Sequence, residues 1–260
     1  MVQEDLRDLL ESYSQGKMSL EEAVGRIRIL GYRRVGEMAK LDVCRAARIG
    51  IPEAILAEGK EKKNLVEIAL AHLEETGSVI ITRVSDEQID ALRCVELPAG
   101  AKLEHNARAR TVVIRSLPRR QEAGSVGILA AGTADVPVAE EARVVAWEMG
   151  CHVVTEYDVG VAGIHRLFPC LERMADVDVF VVAAGREGTL PAVVAGLVEA
   201  PVIGLPVSTG YGLGGGGLAA LYSMLQSCSV LAVVNVDAGF VAGAYAAKIA
   251  MQKAYRKKQY

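Results

Sequence analysis

Aromatic side chains are scarce in this sequence. Three Phe, eight Tyr and one Trp amount to 5% of 260 residues, against 51% apolar residues in all. Together with 26 glycines and many Ala and Val, that scarcity suits a tightly packed α/β fold and argues against a disulfide-stapled or disordered chain. The five cysteines, Cys44, Cys94, Cys151, Cys170 and Cys228, are odd in number and none has a CxxC partner. Neither a disulfide framework nor a zinc ribbon is indicated, and a reducing, cytoplasmic setting fits. An excess of either charge is also missing. The net charge of −3 gives no electrostatic case for nucleic acid or an anionic membrane, and the basic run Lys253–Lys258 is short enough to be a solvated helix end. A membrane-spanning run is not expected, because Val230–Ala250 carries Asn235, Asp237, Lys248 and glycines. Met1–Glu11 is rich in Asp, Glu and Arg at helical spacing, unlike a signal peptide.

The length accommodates one large or two modest domains. The first part reads as a smaller α+β domain. Leu6, Leu9 and Leu10 suggest an opening helix, Ser19 to Glu22 a capping box before a second, and Asn64–Glu75 a third. Val79–Val84 and Thr111–Ile114 read as short strands. The polar segment Leu117–Gly124 breaks both periodicities and places a boundary near Glu122, giving domains 1–121 and 122–260. Beyond it the pattern becomes regular. Apolar strands are expected at Val126–Leu129, Val153–Tyr157, Val177–Val182, Val202–Leu205 and Leu231–Asn235, alternating with helices. That alternation implies a three-layer parallel sheet covered on both faces, with ligands bound beyond the carboxyl ends of the strands.

The loops at those ends carry the candidate chemistry. Ala131-Gly132-Thr133-Ala134-Asp135 can admit a phosphate to small residues, a hydroxyl and a helix N-terminus, or can be a tight turn capped by Asp135. Gly160–Arg166 contains Gly163 and His165. A lone histidine is most often structural, but one at a strand's carboxyl end suits proton transfer near neutral pH. Gly185-Arg186-Glu187-Gly188-Thr189 sets a cation and a potential base between glycines, an arrangement a surface ion pair would equally explain. Ser208-Thr209-Gly210-Tyr211-Gly212, continuing to Gly217, spends backbone entropy that a lid or a phosphate-cradling loop would justify. It is neither a Walker loop nor a dinucleotide fingerprint. Cys228, in Gln226-Ser227-Cys228-Ser229 at the end of a helix expected over Leu218–Ser227, has no local activating feature and reads by itself as a small core residue.

These stretches resemble known families. Residues 122–260 resemble the PurE-type aminoimidazole ribonucleotide carboxylase/mutase domain, which has a flavodoxin-like sheet. The whole chain resembles the LarB family of nickel-pincer nucleotide cofactor biosynthesis. The matching stretches are Gly132–Ala142, Gly160–Arg166, Ala184–Pro191 and Ser208–Cys228. Ala39–Asp42, Arg45, Arg48, Pro52-Glu53 and Gly59-Lys60 match LarB alone. The PurE phosphate loop carries two serines before its aspartate, whereas Gly132 and Ala134 stand there in this chain. The PurE lid also lacks the glycine run with Tyr211.

The LarB resemblance implies a carboxylase/hydrolase. It would convert nicotinic acid adenine dinucleotide and CO2 to pyridinium-3,5-biscarboxylic acid mononucleotide and AMP. Cys228 matches the family's nucleophile, Asp135 or Glu187 would be the base, and His165 matches the PurE-type catalytic histidine. Gly132, Thr133, Gly163, Arg186, Gly188, Thr189, Ser208, Gly210, Tyr211 and Gly212 would bind substrate. No tightly bound cofactor is implied, Mg2+ is compatible without an assignable ligand set, and a homo-octamer is expected. The alternative implied by the PurE resemblance is an aminoimidazole ribonucleotide carboxylase/mutase. Arg45, Arg48 and Lys60 could reach a diphosphate, but are expected to be ordinary surface charges.

Overall fold

The protein is described by a computed structural model covering residues 2–30, 32–37, 39–119 and 124–257. Its contacts divide it into two compact units. One comprises Met1–Ile81, Asp86–Leu103 and Val113–Leu117, the other Thr82–Ser85, Glu104–Val112 and Pro118–Tyr260. The boundary expected near Glu122 falls on residues 120–123, outside the described residues.

The first unit opens with α1 (Val2–Ser14) and α2 (Leu20–Leu30). The capping box before α2 forms: the Ser19 N–H donates to Glu22 Oε2 at 2.9 Å, and the Glu22 N–H donates to Ser19 Oγ at 3.1 Å. An antiparallel ribbon follows, β1 (Arg33–Val35) and β2 (Ala39–Leu41), then α3 (Arg45–Ile49), β3 (Ala54–Leu56) and α4 (Lys62–Thr76). Gly77 at φ 71° ends α4 with a left-handed cap. Next come β4 (Ser78–Thr82), α5 (Asp86–Arg93), β5 (Lys102–Asn106) and β6 (Thr111–Arg115), with β3-β4-β6-β5 forming a four-stranded sheet. Strand β4 stops two residues short of the expected Val84, because Arg83 turns left-handed at φ 55°. Arg48 forms a two-bonded ion pair with Asp42. Most of its charge is therefore met locally, as expected for a surface group.

The second unit alternates strand and helix throughout. Its elements are β7 (Ser125–Ala130), α6 (Val136–Glu148), β8 (His152–Tyr157), α7 (Leu167–Arg173), β9 (Val179–Ala184), α8 (Leu190–Ala195), β10 (Val202–Pro206), α9 (Leu218–Leu225), β11 (Ala232–Val233) and α10 (Gly239–Lys257). All five strands are parallel, in the order β11-β10-β9-β7-β8. One row across the sheet reads Ala232, Ile203, Val181, Ile128, Thr155. Every residue of β9 and β10 is buried, which is why they read as unbroken apolar runs. Strand β9 begins at Val179 rather than Val177. Asp178 is occupied in accepting from the Ser125 N–H at 2.9 Å and the Ser125 hydroxyl at 3.1 Å.

The strand order is the flavodoxin-like one, and the chain reverses direction between β7 and β9. Helices α6 and α10 cover one face of the sheet, while α7, α8 and α9 pack on the other around Leu167, Met174, Phe180, Leu190 and Met224. The small residues of α10 serve its seat on α6. Ala242, Ala246, Ala247 and Ala250 are fully buried, and a Cβ at Gly243 would stand 2.3 Å from the Ala142 carbonyl oxygen. The alanine- and glycine-rich terminal helix therefore covers the sheet within its own chain.

Gly243→Ala is expected to destabilise the protein by about 1–3 kcal/mol through overpacking. Gly25→Ala in α2, where no atom lies within 4 Å of the new methyl, should instead stabilise by up to about 1 kcal/mol. Denaturant titration of both variants checks the contrast.

Candidate active site

The carboxyl ends of β7, β9 and β10 converge on Asp135. The turn after β7 passes through a short 3-10 helix, Thr133–Asp135, directly into α6. Asp135 is only 5% exposed, and its two oxygens are shared among three loops. Oδ2 accepts from the Gly132 N–H at 2.9 Å, and Oδ1 accepts from the Thr209 hydroxyl at 2.8 Å. The Gly185 amide donates as well. Burial pushes the Asp135 carboxyl above the ordinary aspartate range, those hydrogen bonds pull it back, and the charge of Glu187 adds to the rise. A carboxyl so placed at the topological switch point of the sheet can hold or take a proton there.

The loops are packed backbone to backbone. A Cβ at Gly185 would lie 2.1 Å from Thr209 Oγ1 and 2.7 Å from Asp135 Oδ1, so only glycine lets the Asp135–Thr209 bond form. The glycine-rich loop after β10 crosses the same turn, with the Arg186 guanidinium 4.8 Å from the centroid of the Tyr211 ring. Tyr211 is 72% exposed and Leu213 is fully exposed. Thr189 precedes α8, and Gly188 lies at φ 67° against α9. The Gly160–Arg166 turn, carrying Gly163, follows β8, the strand beside β7. His165 in that turn is exposed, and its neighbour Arg166 is paired with Asp158.

The expected residues Gly132, Thr133, Asp135, Arg186, Glu187, Gly188, Thr189, Ser208, Gly210, Tyr211 and Gly212 thus lie on adjoining loops at one edge of the sheet. His165 and Gly163 are on the next loop along the same edge. Cys228 is not. It lies on the connection entering β11, so the parallel strand direction puts it at the amino edge. The eight residues of α9 separate it from the glycine-rich loop, a rise of about 12 Å. The thiol is exposed.

Residues that sequence reasoning passed over complete the edge. Thr209 and Gly185 lie within the expected loops, Ser208–Gly217 and Gly185–Thr189, beside the residues expected there. The loop after β11, with Asp237, carries no glycine–hydroxyl signature in the sequence, although the rule for parallel sheets applies to it equally. Asp237 accepts from the Ser208 N–H at 2.9 Å and adjoins Glu141 of α6. Glu141 is buried and accepts from the Phe240 N–H at the start of α10. It faces Arg83, Arg110 and Asp237, three of the four non-glycine residues with positive φ among those described. Among the described residues, no group of three or more His, Cys, Asp or Glu side chains could hold a metal ion, and no helix is long and apolar enough to cross a membrane.

Residues 125–259, slightly more than half of the chain, match the AIR carboxylase family, and residues 32–116 match the LarB/PurE-like N-terminal domain. An uncharacterized protein of Methanocaldococcus jannaschii is 42% identical over 95% of this chain and 97% of its own length. The N5-carboxyaminoimidazole ribonucleotide mutase of the same organism is 34% identical over 43% of this chain and 69% of its own length. Among solved structures, Treponema denticola PurE aligns at a TM-score of 0.37 with 18% identity, covering 52% of this chain and 94% of that one.

Burial pushes the Glu141 carboxyl up to about 7 from its ordinary 4.5, with Asp237 adding to the rise while Arg83, the Phe240 amide and Arg110 oppose it. The folded state therefore binds this proton more tightly than the unfolded state. The resulting stability is fully present below about pH 4.5 and is lost as the pH rises through about 7. Glu141→Gln removes the titration and keeps an acceptor for Phe240. Relative to the parent, the variant should gain stability between about pH 5 and pH 8, and equilibrium unfolding at the two pH values measures the gain.

Proposed function

This chain belongs to the family that joins a LarB/PurE-like N-terminal domain to an AIR carboxylase domain, and from that premise we propose that it is a nicotinic acid adenine dinucleotide carboxylase/hydrolase. The observation that carries the reading is Asp135, a buried carboxyl of raised pKa tied to three carboxyl-edge loops. It is combined with an N-terminal domain of LarB type over residues 32–116. Gly132 and Ala134, in place of two serines, fit a substrate other than the PurE ribonucleotide.

In the proposed chemistry the Cys228 thiolate adds to the electron-poor pyridinium ring and gives a dihydropyridine. Its enamine carbon attacks CO2, forming the new C–C bond. The ring proton at that carbon passes to Asp135 or Glu187, the C–S bond breaks, and aromaticity returns as the thiolate leaves. Water cleaves the phosphoanhydride to release AMP. The amides of Gly188, Gly210 and Gly212 hold the anionic groups of the substrate, together with Thr133, Thr189, Ser208 and Arg186, while Gly132 lets the substrate approach the backbone. Tyr211 and Gly163 border them. His165 remains available on the neighbouring loop for proton transfer.

Within one chain Cys228 and Asp135 are at opposite edges of the sheet, so this chemistry needs the thiol of another copy. A homo-oligomer, expected to be an octamer, provides it. Exposed Leu218, Tyr222 and Leu225, one to two turns apart on α9, and Val230 beside Cys228 support such packing. The partial match to N5-carboxyaminoimidazole ribonucleotide mutases favours a second reading, action on an aminoimidazole ribonucleotide. In that case Cys228→Ala would stay active and His165→Ala would not.

The test is incubation with nicotinic acid adenine dinucleotide, bicarbonate and Mg2+, followed by mass spectrometry. AMP and a dicarboxylated pyridinium mononucleotide should form, and both should vanish with Cys228→Ala. Mixed refolding of Cys228→Ala with the double variant Asp135→Asn/Glu187→Gln should restore part of the activity that neither variant has alone. Absence of dinucleotide turnover by folded parent protein would overturn the reading.

A further inference from the structure

The glycine-rich lid is held at both feet by the turn that follows β11. At its leading foot, two consecutive residues are gripped by carboxylates from different elements. Thr209 donates its hydroxyl to Asp135 Oδ1 at 2.8 Å, and Ser208 donates its N–H to Asp237 Oδ1 at 2.9 Å. At the trailing foot, a Cβ on Gly217 would stand 2.6 Å from Val236 Cγ1 and 3.2 Å from the Val207 carbonyl oxygen, so the backbone there lies flat against the residue before Asp237. Between the feet, Tyr211 and Leu213 stand out in solvent.

Asp237 is itself fixed from two sides. Its N–H donates to the Pro206 carbonyl at 2.9 Å, and its own carbonyl accepts from Arg83 Nη2 at 2.8 Å. It holds φ 55°, a conformation that glycine adopts without steric cost. It also places a carboxylate near buried Glu141. Glycine would hold this backbone at no steric cost and without the added charge, so what aspartate supplies here is its side chain. The visible task is the bond to Ser208.

We propose that Asp237 is a positioning residue for the lid. Its carboxylate fixes the Ser208 amide, and so sets the path on which the backbone N–H groups of Gly210 and Gly212 meet the phosphate of a nucleotide. The assignment rests on the reading above, in which the lid receives a phosphorylated substrate. Asp237 touches no reacting atom and acts through Ser208.

Two substitutions separate the side chain from the backbone. Asp237→Asn keeps the acceptor and tolerates the left-handed conformation, whereas Asp237→Gly keeps the conformation and removes the acceptor. Amide exchange of the full chain, read over residues 208–217, should be at least about fivefold faster in Asp237→Gly and close to the parent in Asp237→Asn. With nicotinic acid adenine dinucleotide, Asp237→Gly should raise KM by a similar factor while kcat stays within about twofold, and Asp237→Asn should restore the parent KM. Parent-like exchange in Asp237→Gly, or equally fast exchange in both variants, overturns the assignment. Should the parent fail to turn over the dinucleotide, the enzymatic reading falls, while the exchange comparison still decides the role of Asp237.

Discussion

One buried carboxylate organises the carboxyl edge of the parallel sheet. Asp135 has its oxygens divided among the loop that bears it, the loop after β9 and the loop after β10. Each of those loops is irregular, and its polar backbone would otherwise face solvent or go unsatisfied. Gathering them on one group makes their positions mutually dependent. The requirement for glycine at residue 185 follows, because any side chain there would occupy the space of the Asp135–Thr209 bond.

A second carboxylate pair works beside the first at the turn after β11. Glu141 accepts from the Phe240 amide at the start of α10 and Asp237 accepts from Ser208, while Arg83 and Arg110 set positive charge against Glu141 and Arg83 also donates to the Asp237 carbonyl. The two arginines come from the tips of the segments Thr82–Ser85 and Glu104–Val112, which cluster with the second unit although they interrupt the first in sequence. Three of the chain's left-handed non-glycine residues meet at this spot. Strain of that kind survives where surrounding hydrogen bonds over-determine the backbone, and binding edges are where it collects.

The α/β class, the alternation of the second unit and four of the five ligand-edge loops were legible in the sequence. Their signals are local: unbroken apolar runs of strand length, then glycine, then a helix. The capping box at Ser19 and Glu22 was equally legible, since both partners lie within one turn of the chain. Strand ends were less so. Where β4 stops depends on the turn at Arg83, and where β9 starts depends on Asp178 bonding Ser125, a residue far away in sequence.

What the sequence by itself determined is therefore the inventory: which loops carry small residues, hydroxyls, a histidine and paired charges, and which families arrange them in this order. Only the tertiary structure decided who meets whom. It joined Asp135 to Thr209, recruited Asp237 from the turn before α10 and Glu141 from within α6, neither with a local signature, and set Cys228 on the other edge of the sheet from Asp135. The physical reason is that hydrophobic periodicity is written within a few residues of itself. Hydrogen bonds between loops depend instead on strand order, and strand order is fixed only when the whole sheet packs.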